Sequence, residues 1–157
     1  MNQSRRTFLR ASLAMGTVAV AVGSALLVPS RVMAAQWSNT AFSAETVEAA
    51  LNSLEGTSKI EASGAIKIDA PDIAENGAVV SVGVETTLPG AESISILVPN
   101  NAAPLTAIYL LGKETDGYIN LRIKMRKTSD VIAVVKSNGK LYSASKAVKV
   151  TLGGCGG

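Results

Sequence analysis

Histidine is absent from the 157 residues, and cysteine occurs once, as Cys155. Without an imidazole, Ser-His-Asp and Cys-His catalysis are both excluded. Zinc sites of the usual Cys/His type are excluded too, and few soft ligands remain for any other cofactor metal. Neither G-x-G-x-x-G nor a P-loop pattern occurs, so a nucleotide site has no support. Carboxylate pairs do exist, Glu45 with Glu48 and Asp69 with Asp72. Such pairs stand on the surfaces and turns of almost any domain, and without a pocket they are weak ground for acid–base chemistry. No internal repeat, heptad array or long low-complexity segment is visible. The expectation is a chain with no cofactor and no complete active site of its own.

What is present begins with an export signal, residues 1–34. Ser4-Arg5-Arg6-Thr7-Phe8-Leu9-Arg10 is a charged start with an adjacent arginine pair, followed by a mildly apolar stretch from Ala11 to Val28. Val32-Met33-Ala34 places small residues for cleavage before Ala35. The competing reading, an uncleaved anchor, rests on an apolar length near the spanning minimum. The S-R-R-x-F-L-R pattern, with Arg5 and Arg6 at its centre, resembles the twin-arginine signal, a receptor-read address that implies export in the folded state. Folded export suits a protein that has acquired a cofactor or partner before crossing, and a chain poor in metal ligands points to a partner.

The mature chain, 35–157, has a length that fits one domain with one core. The formal charge of +3 misleads, because Arg5, Arg6, Arg10 and Arg31 leave with the signal; 11 basic and 12 acidic residues remain. The high isoelectric point is therefore no argument for nucleic acid. Ala35 to Asp116 carries 11 acidic and 3 basic residues, and Gly117 to Gly157 carries 1 and 8. In the densest run, strand alternation puts Arg122, Lys124 and Arg126 on one face, with Leu121, Ile123 and Met125 on the other. The bland interpretation of that face is solvation; the sharper one is a surface attracting anionic ligands or acidic partners.

One helix is legible. Ser43 is expected to cap it, with Phe42 and Val47 at the staple positions and Glu45 in the first turn. Val47, Ala50, Leu51 and Leu54 form an apolar stripe that packs against a sheet or another subunit, and Gly56 ends the helix. From Ala65 onward the period is two. Segments 65–69, 78–85, 94–98, 107–111, 118–125, 131–136 and 140–152 read as strands, with turns at Glu75-Asn76-Gly77, Pro89-Gly90 and Ser137-Asn138-Gly139 between them. Six or seven such strands argue for a mainly β, immunoglobulin-like antiparallel sandwich. The expected organisation is a signal (1–34), an extension with a short helix (35–56), the sandwich (57–152) and a C-terminal glycine arm (153–157).

That arm is Gly153-Gly154-Cys155-Gly156-Gly157. A lone cysteine cannot bridge internally, which leaves an intermolecular disulfide or a working thiol. The five residues span about 17 Å extended, and their glycines can follow whatever path a narrow channel imposes. A rigid body, a pliable tip and a nucleophile near the end make a swinging-arm carrier. No local cation or helix start activates the thiol, so activation falls to whatever the arm visits. Prenylation would need the cysteine one place earlier, and bacterial lipid attachment would need it just after the signal. A terminal Gly-Gly also marks ubiquitin-like sulfur carriers, but those are cytosolic and require no cysteine. An end with no role would leave the only thiol exposed to oxidation.

The signal at Ser4–Arg10, a short helix, a small sandwich and the G-G-C-G-G terminus together resemble the SoxY family, the substrate-carrying subunits of SoxYZ in periplasmic sulfur oxidation. The resemblance runs along the whole chain, and the terminus is its specific part. It implies that Cys155 carries thiosulfate or a related reduced sulfur species, conjugated by the haem-containing SoxAX. It further implies hydrolysis by the dimanganese enzyme SoxB, and oxidation of the remaining sulfur by SoxCD where that enzyme is present. A SoxZ-like subunit would be the folded passenger and heterodimer partner, with no nucleic acid and no membrane involved after signal cleavage. Two other classes stay open on the residues alone: an exported adaptor whose cysteine forms an intersubunit disulfide, and a thiol-dependent transferase or peroxidase. The second lacks both a base and a resolving cysteine.

Overall fold

The computed structural model describes residues 38–152. The expected export signal with Arg5 and Arg6, the start of the expected extension, and the expected arm with Gly153, Gly154, Cys155, Gly156 and Gly157 lie outside the described residues.

Two helices precede the sheets where the sequence suggests one. Ser38 caps α1 (Asn39–Phe42), its hydroxyl accepting from the Ala41 N–H at 3.3 Å. Ser43 closes α1: its own φ and ψ are helical, and its N–H donates to the Asn39 carbonyl at 3.0 Å. It therefore cannot open the next helix. That role falls to Thr46, whose extended backbone turns its hydroxyl toward the Ala49 N–H at 3.1 Å, starting α2 (Val47–Glu55). The first-turn acid is then Glu48, not Glu45. Gly56 ends α2 as expected, at φ 70°, where a side chain would be strained.

Nine strands follow: β1 (Ile60–Ala62), β2 (Ile66–Asp69), β3 (Ile73–Asn76), β4 (Val80–Thr86), β5 (Ala91–Leu97), β6 (Leu105–Leu110), β7 (Tyr118–Ile123), β8 (Ser129–Ser137) and β9 (Lys140–Leu152). A smaller antiparallel sheet runs β2-β4-β7. The larger runs β1-β9-β8-β5-β6, antiparallel from β9 through β6. Asn138 and Gly139 both have positive φ, 50° and 73°, the backbone a tight β8–β9 hairpin requires. Strand β9 outruns its partner β8, and its outer edge takes up two short parallel strands. These are β1 against Leu141–Ser143 and β3 against the segment ending at Leu152. Between them Lys146 reaches across the gap, donating to the Ala70 carbonyl and pairing with Asp72 at 3.2 Å.

The two sheets face each other as a mainly β, immunoglobulin-like sandwich. Their alternating residues make its core: Val80, Val82 and Val84 from β4 meet Ile94, Ile96, Val131, Ala133, Val135 and Val148. The opposite face of the larger sheet is also apolar, and there the helices pack. Ala41, Ala50 and Leu51 bury against Leu97, Leu105, Val134 and Leu141. The helical stripe thus covers a sheet of its own chain. Glu55, at the end of α2, fastens that layer by an ion pair to Lys136 on β8 at 2.9 Å. Both faces of the larger sheet being covered explains why β5 reads as a continuous buried run from Ser93 to Leu97 rather than a clean alternation.

Candidate functional site

The candidate site is the end of strand β9, at Leu152, the last described residue before the expected arm. The inward face of strand β9 leaves the core step by step, with Val148 fully buried, Val150 packed on the core and Leu152 69% exposed. Each of the last three residues is held. The Val150 N–H donates to the Thr128 hydroxyl at 3.0 Å, and the Thr151 hydroxyl donates to the Glu75 carbonyl at 2.9 Å. The Leu152 carbonyl accepts from the buried Gly77 N–H at 2.7 Å. Strand β3 stays in register with β9 as far as Asn76 opposite Leu152. The body therefore keeps hold of the chain up to its last described residue.

Gly77 also makes a second link. Its carbonyl accepts from the Met125 N–H at 2.7 Å, so one residue joins Leu152 to the basic segment that follows β7. Along that segment Ile123 and Met125 are buried, while Arg122, Lys124, Arg126 and Lys127 are exposed, as strand alternation suggests. Regular pairing stops at Ile123, and Asn101 takes over the task of holding the backbone. Its amide N–H donates to the Lys124 carbonyl at 2.8 Å, and its carbonyl oxygen accepts from the Arg126 N–H at 2.9 Å. Asn100 does the same one step on, donating to the Thr128 carbonyl at 2.8 Å. Arg122 stands apart from this group, on the outer face of β7 opposite Ser81.

Ion pairs among the described residues are Lys136–Glu55 and Lys146–Asp72, so Lys124, Arg126 and Lys127 have no such partner there. Beside them Val79, on the turn that Gly77 opens, is 57% exposed. Glu45 and Glu48 are exposed at the helix start, and Asp72 is committed to Lys146. Among the described residues no group of three or more Cys, Asp or Glu side chains comes together for a metal. No described helix is long and apolar enough to cross a membrane.

Sequence reasoning singled out the basic residues and placed Gly77 in a turn, but it missed Asn100, Asn101 and Thr128, which with Gly77 hold the basic segment and tie it to the end of β9. Asn100-Asn101 after Pro99 signals a turn, and nothing in that signal says which distant backbone the turn will hold.

A family model described as "Sulfur oxidation protein SoxY" matches residues 51–155, which include Cys155. Among solved structures, the sulfur carrier protein SoxY from Chlorobium limicola f thiosulfatophilum is 44% identical, with a TM-score of 0.60. The match covers 66% of this chain and 94% of that one. No curated protein matches. With two solid layers of agreement, a family model across most of the folded body and a homologous structure with the same sandwich, the chain belongs to the SoxY family of sulfur carrier proteins.

Proposed function

We propose that this chain is a periplasmic carrier that binds reduced sulfur covalently at Cys155 and presents it to separate enzymes, with no catalysis of its own. The observation that supports this most directly is the anchoring of β9 on both edges up to Leu152. A fixed root keeps the five-residue tether short, and so keeps the thiol at a high effective concentration in the cleft of an enzyme docked on the body.

In the first step the Cys155 thiolate and thiosulfate join through a new S–S bond. The two electrons released pass to the haem enzyme SoxAX, leaving a cysteine S-thiosulfonate. In the next, SoxB adds water across the bond to the terminal sulfonate. Sulfate and two protons leave, and a persulfide stays on Cys155. SoxCD would oxidise that sulfur further. This chain contributes position and the nucleophilic sulfur, and Gly153, Gly154, Gly156 and Gly157 let the sulfur pass through narrow entrances. A SoxZ-like subunit is the heterodimer partner, and the twin-arginine route exports the pair folded.

Replacing Cys155 with serine tests this reading. Thiosulfate-dependent sulfate release by the reconstituted enzymes should fall to the level without carrier. Full activity in the variant would leave Cys155 with at most a disulfide role and would remove the carrier reading.

A further inference from the structure

We infer that the exposed ring around the arm's root is the docking collar for the enzymes that act on Cys155, made of Lys124, Arg126 and Lys127 with Val79 and Leu152. The partner surface it fits is the rim of an active-site cleft that is acidic and carries an apolar contact. The inference rests on the carrier reading above and names the partner surface that reading requires.

Reach gives the first reason. Cys155 lies three residues beyond Leu152, so even a fully extended chain places it about 10 Å from the body. An enzyme that encloses the cysteine and its adduct must bring its rim onto whatever surrounds Leu152. The structure shows what does so. Gly77 hydrogen-bonds Leu152 through its N–H and Met125 through its carbonyl, each at 2.7 Å, so Leu152 and the basic segment are separated by a single residue.

The chemistry of the ring gives the second reason. Lys124, Arg126 and Lys127 are exposed and unpaired among the described residues, although Glu75 on β3 and Asp130 on β8 are carried by strands that flank the root. Their backbone is not left loose, since Asn101 holds both Lys124 and Arg126 by hydrogen bonds. Charges on a fixed backbone that are not neutralised within the fold are suited to steering a partner of opposite sign. Leu152 and Val79 are 69% and 57% exposed where β9 and the adjoining turn leave the core. An apolar centre beside a charged rim is how protein interfaces are commonly built.

The cations act on the partner protein and not on the sulfur adduct, because an arm extended into a cleft carries its thiol away from them. The triple variant K124E/R126E/K127E separates these cases, with an unchanged urea midpoint as the check on folding. Its conjugation with thiosulfate by SoxAX should lose about tenfold or more in kcat/KM, mostly at low salt. Enzyme-free modification of Cys155 is followed in parallel with two small disulfides, neutral dithiodipyridine and dianionic tetrathionate. The ratio of their two rates should stay within about twofold of wild type, since the charges are distant and screened.

Undiminished enzymatic conjugation in the variant, with the wild type conjugated normally, would overturn the collar and leave the carrier reading standing. A tetrathionate-to-dithiodipyridine ratio that falls as far as kcat/KM would also overturn it, in favour of cations that hold the anionic adduct directly. A wild-type chain that SoxAX does not conjugate at all would overturn the carrier reading and the collar with it.

Discussion

Glu55 and Lys136 carry more of the helix-to-sheet contact than their place in the sequence suggests. The Glu55 side chain is 7% exposed and that of Lys136 34%, with 2.9 Å between them. The hydrogen bond from Lys136 to Glu55, and then the Glu55 charge itself, raise the lysine pKa above its ordinary value. A raised lysine pKa stabilises the fold at pH values below the unfolded lysine pKa, about 10.4, and that contribution is lost as pH rises through the folded value. Glu55→Gln should therefore lower stability by about 1 kcal/mol at neutral pH, a figure kept small because Lys136 is partly solvated. Urea midpoints should show this deficit constant from neutral pH into mildly alkaline solution and shrinking above about pH 10.4. A deficit that grew with alkaline pH would contradict the assignment.

At the scale of elements, the two helices show how a cap is chosen. Ser43 and Thr46 are both good caps by residue type. Ser43 loses the role because α1 already occupies its N–H, while Thr46 has the extended backbone a cap needs. Thr46→Ala should cost about 1 kcal/mol, and Ser43→Ala well under half of that. Thermal or urea unfolding of the two variants decides it, and equal losses would contradict the capping seen here.

The strands divide in the same way. Strand β9 was legible to its last residue, because the Asn138-Gly139 turn starts it and β-branched residues alternating in burial run through Val148 and Val150 before the Leu152 end. Strands β1 and β3 were not. They are three and four residues long and mostly exposed, and their partner is a strand some 75 or more positions away. Short edge strands have too few residues for a period to show, so only the edge of β9 defines them. The sandwich followed from periodicity; its parallel fringe came from tertiary pairing.

Over the whole molecule, the larger sheet is covered by the helices on one face and the smaller sheet on the other. Strand β9 runs beside the outer edge of the larger sheet, with only the short β1 and β3 beyond it. Composition alone draws attention to the tip, since Cys155 is the one cysteine in the sequence. The surroundings of the root were not legible. Gly77, Met125 and Leu152 meet through backbone groups, and backbone hydrogen bonds leave no mark on residue choice beyond the glycine. Removing Gly156 and Gly157 while keeping Cys155 should slow enzymatic conjugation without changing the urea midpoint, because the hydrogen bonds that hold the end of β9, at Val150, Thr151 and Leu152, stay in place. An unchanged rate would mean that the cleft does not need a slender tip.

The carrier account is tested most directly by the mass of the C-terminal peptide that contains Cys155, taken from protein purified out of cells growing on thiosulfate. The account predicts sulfur-bearing adducts on this peptide, thiosulfonate or persulfide, that a reductant removes and that are absent from cells grown without reduced sulfur. Only free thiol, or only a disulfide to a second chain, under both conditions would contradict it.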